Sequence, residues 1–124
     1  TGMYPDELGI HGLFDPLPPA ADTLAERLRD AGYATGAVVS NAIISRVYGH
    51  DQGYDFFYHK SYREPRAAAA AGGGEEKKPR LPVFTADKVT DNALEWIAKA
   101  RRPFFLYAHY TDPHEPHLPP AAWL

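Results

Sequence analysis

Apolar positions along the chain fall into two helical stripes and two short strand-like runs, and their order sets the expected architecture. Over residues 20–31, Leu24, Leu28 and Ala31, with Ala21 and Ala25, recur at helical spacing. Asp22, Thr23 and Glu26 supply capping and acidic groups to the first turn. Arg27, Arg29 and Asp30 then face water, and Gly32 is placed to stop the helix in a left-handed conformation. The period changes over Tyr33 to Ser40 (YATGAVVS), whose apolar centre of Ala37, Val38 and Val39 predicts a strand. A second amphipathic helix is predicted over 85–100, with Thr85 as its N-cap and a core stripe of Ala86, Val89, Ala93, Leu94, Ile97 and Ala100. Lys99, Arg101 and Arg102 suit its C-terminal end. Phe104 to Ala108 is an apolar run free of Gly and Pro, which predicts a strand buried on both faces.

A helix, a Gly and then a strand make half of a βαβ unit, so the fold class is α/β with a parallel sheet. The order is helix, strand, insertion, helix, strand. Residues 1–19 carry Gly2, Gly9, Gly12, Pro5, Pro16, Pro18 and Pro19, too many breaks for a regular element. Their apolar side chains Met3, Tyr4, Leu8, Ile10, Leu13 and Phe14 suggest a segment that packs on something. Residues 48–63 read as a loop with one short strand near Asp55 to Tyr58; His50 and His59 are isolated there and are read as non-functional. Residues 64–82 (EPRAAAAAGGGEEKKPRLP) are low-complexity and offer no core face, so they read as a flexible insertion.

Composition narrows the function. The chain has 124 residues, 44% hydrophobic and 23% charged, ordinary values for one small domain with a core. A net charge of −3 offers no polyanion partner, so nucleic acid is not expected. No apolar run reaches the roughly 20 residues of a membrane span. The absence of cysteine excludes disulfides and a thiolate nucleophile within these residues. Thr1-Gly2-Met3 resembles no signal peptide, and the sequence reads as the middle of a longer protein.

The candidate chemistry follows the last strand, in PFFLYAHYTDPHEPHLPP (103–120). His109, His114, His117, Asp112 and Glu115 crowd a stretch stiffened by Pro113 and Pro116. Open α/β sheets bind ligands outside the carboxyl ends of their strands. Ser40 and Asn41 end the first strand and occupy the equivalent place; either contacts ligand or caps a short helix over Ala42 to Val47.

Taken together, these stretches resemble the sulfatase family of the alkaline-phosphatase-like superfamily. The resemblance rests on Thr1-Gly2-Met3-Tyr4-Pro5 with Gly9-Ile10, similar to a TG-x-YP-x-x-HG segment, and on TLAERLRDAGYAT (23–35). It continues through Gly53-Tyr54-Asp55, Pro103 to Leu106, Asp112 to His117 and Pro119-Pro120. It covers most of the chain except the insertion. The fold it implies is a fragment of an alkaline-phosphatase-like parallel-sheet sandwich, with 1–124 as part of the catalytic domain. The activity it implies is hydrolysis of sulfate esters through a formylglycine beside a divalent cation, usually calcium. The nucleophile's C/S-x-P-S-R motif and one pair of metal-binding aspartates would lie before Thr1, and the second pair after Leu124. This chain would then be inactive alone and bind neither group itself. The family's DPH histidine matches His114, whose imidazole would donate to a sulfate oxygen. Asp112 would orient that ring or shape the loop. Ser40, Asn41 and His117 are further substrate-binding candidates, with no metal ligand among them. The family's His is Leu8 here, its frequent Tyr is His117, and Val39-Ser40-Asn41-Ala42 replaces a common Gly-Lys-Trp-His.

Two other readings stand beside this one. One is a phosphatase, phosphodiesterase or phosphotransferase of the same superfamily, with a Ser or Thr nucleophile and two metals. The other is a binding module in which His109, His114 and His117 ligate zinc with Asp112. An excised piece with so small a sheet is also expected to self-associate through its open edges.

Overall fold

The computed structural model describes residues 1–60 and 85–112. Two helices, α1 (Leu24–Asp30) and α2 (Ala86–Lys99), accompany three strands: β1 (Ala34–Val39), β2 (Phe56–His59) and β3 (Phe104–His109). The strands form one parallel sheet in the order β2-β1-β3. The α/β class and the parallel sheet are as the patterning predicts, and the short strand anticipated near Asp55 joins the sheet as β2. The low-complexity segment 64–82, and His114, Glu115 and His117, lie outside the described residues.

β1 is buried at every position because it is central in the sheet and covered on both faces. Its even residues meet α2: Val38 packs with Val89 and Ala93, joined by Phe56, Tyr58, Leu106 and Ala108. Its odd residues face the other way, where Ala37 and Val39 pack with Phe57, Ile44 and Tyr54. The Trp96 indole lies over Gly36, where a Cβ would come 2.6 Å from ring carbon Cζ2. The same ring meets Phe104 edge-on, with centroids 5.8 Å apart. Trp96 thus contributes to the core, whereas Leu94 of the expected stripe is 60% exposed. Leu94 follows Ala93 by one residue, which turns it about 100° away from the sheet.

β3 was expected to be buried on both faces, and it is not: Tyr107 is 38% exposed. An apolar run records that two faces are compatible with burial, but β3 lies at an edge of this sheet with less packed over it. The first helix also starts later than its stripe suggests. Ala21 N–H turns back to the Pro18 carbonyl, and Thr23 then caps α1 by accepting from Glu26 N–H at 3.1 Å. The Glu26 carboxylate reaches back to Thr23 N–H at 3.0 Å, completing a capping box. Leu24, beyond this cap, points outward. At the other end Gly32 has φ +93°, and Tyr33 N–H donates to the Leu28 carbonyl in a Schellman closure.

Two expectations about loops are corrected. No helix spans 42–47; Asn41 Oδ1 accepts from Ile43 N–H at 2.9 Å and holds the backbone in a turn, and a single 3₁₀ turn follows at Arg46–Tyr48. Residues 1–19 do contain a short 3₁₀ helix, Pro5–Leu8, yet Met3, Tyr4, Leu13 and Phe14 stay exposed. Among them Phe14 does find a ring partner in Tyr48.

The segment between α1 and β2 is where a short sequence signal becomes tertiary structure. Gln52 donates from Nε2 to the Ala21 carbonyl and to Glu26. Gly53 follows at φ +86°, pressed against the backbone of Ala25 and Glu26. Buried Thr35 Oγ1 donates to the Gly53 carbonyl at 2.8 Å and accepts from Asp55 N–H at 3.0 Å. Tyr54 stacks on Phe105 with rings 16° apart. Burial, and then the nearby Tyr107, push its phenol up to about 12. Gly53-Tyr54-Asp55 therefore fixes where β2 joins β1.

Candidate site at the carboxyl ends of β1 and β3

β1 and β3 end side by side, with Val39 opposite His109. The ladder stops there, and side chains take over. Thr111 N–H donates to Ser40 Oγ at 2.9 Å, and Thr111 Oγ1 donates to the Ser40 carbonyl at 2.9 Å. Thr111 has spent its only hydroxyl proton, so the 2.8 Å contact between the two hydroxyls has Ser40 as donor. The His109 carbonyl, 3.0 Å from Ser40 Oγ, competes for the same proton. Ser40 N–H also donates to that carbonyl at 3.3 Å.

The residues on either side of Thr111 are held as well. Tyr110 Oη lies 3.2 Å from Thr90 Oγ1 on α2. Asp112 Oδ2 accepts from Ala86 N–H at 2.6 Å, at the first residue of α2. Unsatisfied N–H groups and the helix dipole both favour a carboxylate there. Thr85 occupies the N-cap position as expected, but its hydroxyl donates to the Asp87 carboxylate, which lowers the Asp87 pKa. Asp112 supplies the contact that Thr85 does not. Three successive residues, 110 to 112, are thus tied to α2, to β1 and to the start of α2.

Of the expected site residues, Ser40, Asn41 and Asp112 are described. Ser40 and Asp112 come together at the exit of β3, through Thr111. Asn41 uses its side-chain carbonyl on Ile43 and its backbone carbonyl on His59 Nε2, 3.0 Å away. Sequence reasoning missed Thr111, which carries no catalytic signature; its position two residues beyond a parallel strand was the available signal. His109 closes β3, and its buried Nδ1 has no partner among the described residues. Among those residues no three His, Cys, Asp or Glu side chains gather into a metal site, and Asp112 is committed to Ala86. The described residues therefore do not fit a cation. A separate shallow cavity of about 410 Å³ lies beside β2, lined by Arg46, Tyr48, Phe57 and His59 among others. Its cation is engaged: Arg46 binds Asp51 at 2.7 Å and the Phe57 carbonyl at 3.0 Å.

A family model described as Sulfatase matches residues 1–123. The chain belongs to the sulfatase family. No curated protein and no solved structure matches it. The match takes in α1, all three strands and the paired ends of β1 and β3. It places this sulfatase chain with the sulfatase-like hydrolases, a generally metal-dependent family. No helix among the described residues is long and apolar enough to cross a membrane.

Proposed function

We propose that this sulfatase chain forms the middle of a catalytic domain that hydrolyses sulfate esters. The observation that carries the reading is the pinning of Thr111 and Asp112 at the carboxyl ends of two parallel strands, in a chain matched to the family over residues 1–123. His114, two residues beyond Asp112, is the proposed donor to a sulfate oxygen, with Asn41 and His117 as further contacts. A histidine suits that role because its ring is a donor at either nitrogen once protonated, and its ordinary pKa near ~6.5 lies within the working range. Positive character beside the transferring group stabilises charge developing in the transition state. Asp112 shapes the loop by anchoring it to α2. The formylglycine, which supplies the nucleophile when present, and its divalent cation are assigned to parts of the polypeptide outside these 124 residues.

Sulfate release from an aryl sulfate by the full-length protein tests this. The expected result is turnover that falls by roughly 100-fold or more in His114→Ala, as for loss of a major charge-stabilising donor. Turnover of an aryl phosphate with none of the sulfate ester would instead favour phosphoryl transfer. Zinc binding without hydrolysis of either ester would favour the binding module.

A further inference from the structure

We infer that Ser40 and Thr111 act as one positioning unit for this reaction, joining the exit of β3 to the end of β1, and that Ser40 is not a substrate contact. The inference rests on the proposed sulfate-ester activity. Its basis is that both hydroxyl protons of the pair are already committed. Ser40 is 9% exposed, and its one hydroxyl proton already has two acceptors, Thr111 Oγ1 and the His109 carbonyl. One of its lone pairs is taken by Thr111 N–H. The Thr111 hydroxyl is closed by the Ser40 carbonyl. Neither group has a proton free for a substrate oxygen.

The two residues do have what a positioning unit needs. Beyond the Val39–His109 pair, Ser40 still reaches the His109 carbonyl, and the Ser40–Thr111 contacts carry the join between the strand ends one residue further. They are reciprocal: each residue donates to and accepts from the other. Loss of either hydroxyl removes the hydroxyl–hydroxyl bond and one other: without the Ser40 hydroxyl only Thr111 Oγ1 to the Ser40 carbonyl remains, and without the Thr111 hydroxyl only Thr111 N–H to Ser40 Oγ remains. On the α2 side, Asp112 and Tyr110 hold the same segment by separate contacts. Removing the unit therefore shifts the segment without releasing it.

Steady-state kinetics of the full-length protein on an aryl sulfate test this, with Ser40→Ala, Thr111→Val, the double variant and Thr111→Ser. A displacement of about 1 Å at a catalytic group costs up to about 100-fold in rate, so each of the first two should lose roughly 10- to 100-fold in kcat with KM within about twofold. The double variant should be worse than either single one but lose less than the product of their losses, because both singles already remove the shared hydroxyl–hydroxyl bond. Thr111→Ser, which keeps the hydroxyl, should restore most of the rate. A raised KM with unchanged kcat in Ser40→Ala would overturn the proposal, because that marks a direct substrate contact. Multiplying losses in the double variant, or a lowered melting temperature with wild-type kcat, would overturn it too. If the wild-type protein releases no sulfate, the functional reading fails and takes this inference with it. An active wild type with unaffected variants fails the inference alone.

Discussion

Replacing Gly53 with alanine separates two costs that a turn glycine usually mixes. Gly53 has φ +86°, and a Cβ there would sit 2.8 Å from the Ala25 carbonyl carbon and closer still to Glu26 N, both backbone atoms. Gly32 has a similar φ of +93° but nothing within 4 Å of its would-be Cβ. Gly32→Ala should therefore cost only the left-handed penalty, about 1–2 kcal/mol. Gly53→Ala carries the same penalty plus an overpacking cost of about 1–3 kcal/mol, because backbone cannot rotate out of the way. The displaced Glu26 N–H is the donor to Thr23 Oγ1, so part of the α1 cap, worth about 1 kcal/mol, is lost as well. These terms share one displacement and overlap, which puts the total at roughly 2–5 kcal/mol. Against a typical stability of about 5–15 kcal/mol this is a large fraction. Urea unfolding of both variants, compared at unchanged m-value, measures the difference. A Gly53→Ala midpoint equal to or above that of Gly32→Ala would refute the argument that close approach to α1 dictates this glycine.

Two further predictions concern the core and the cap. Gly36→Ala should destabilise by about 1–3 kcal/mol because its Cβ meets the Trp96 ring, and Gly36→Ala with Trp96→Phe should recover part of that loss in thermal melts. The Glu26 carboxyl is held below its ordinary 4.5, first by Thr23 N–H and then by Gln52. The folded state therefore binds fewer protons in acid than the unfolded one. This contribution is complete above pH 4.5 and is lost as pH falls through the lower folded value. Glu26→Gln should flatten that part of a stability–pH curve, and an unchanged acid limb would count against the capping box.

Much of the fold is legible in the residues themselves, and what is legible is local. The period of the apolar positions marks α2 and β1, because side-chain direction repeats with the backbone. Thr23 with Glu26 marks the start of α1, and Gly32 marks its end, because caps are satisfied within a few residues. Other outcomes depended on which surfaces met in space. Composition could not reveal that β3 is an edge of this sheet while β1 is central, because both are apolar runs. Trp96 rather than Leu94 reaches the sheet because Gly36 leaves room for an indole there. The candidate site divides in the same way. Its polar residues were evident as a cluster after the last strand. Yet Ser40, Thr111, Asp112 and Ala86 are brought together by a parallel pairing and a helix that packs across it. Hydrogen-bonding capacity is finite, so which partner each hydroxyl and carboxylate finds settles what remains available for chemistry, and only the tertiary structure assigns those partners.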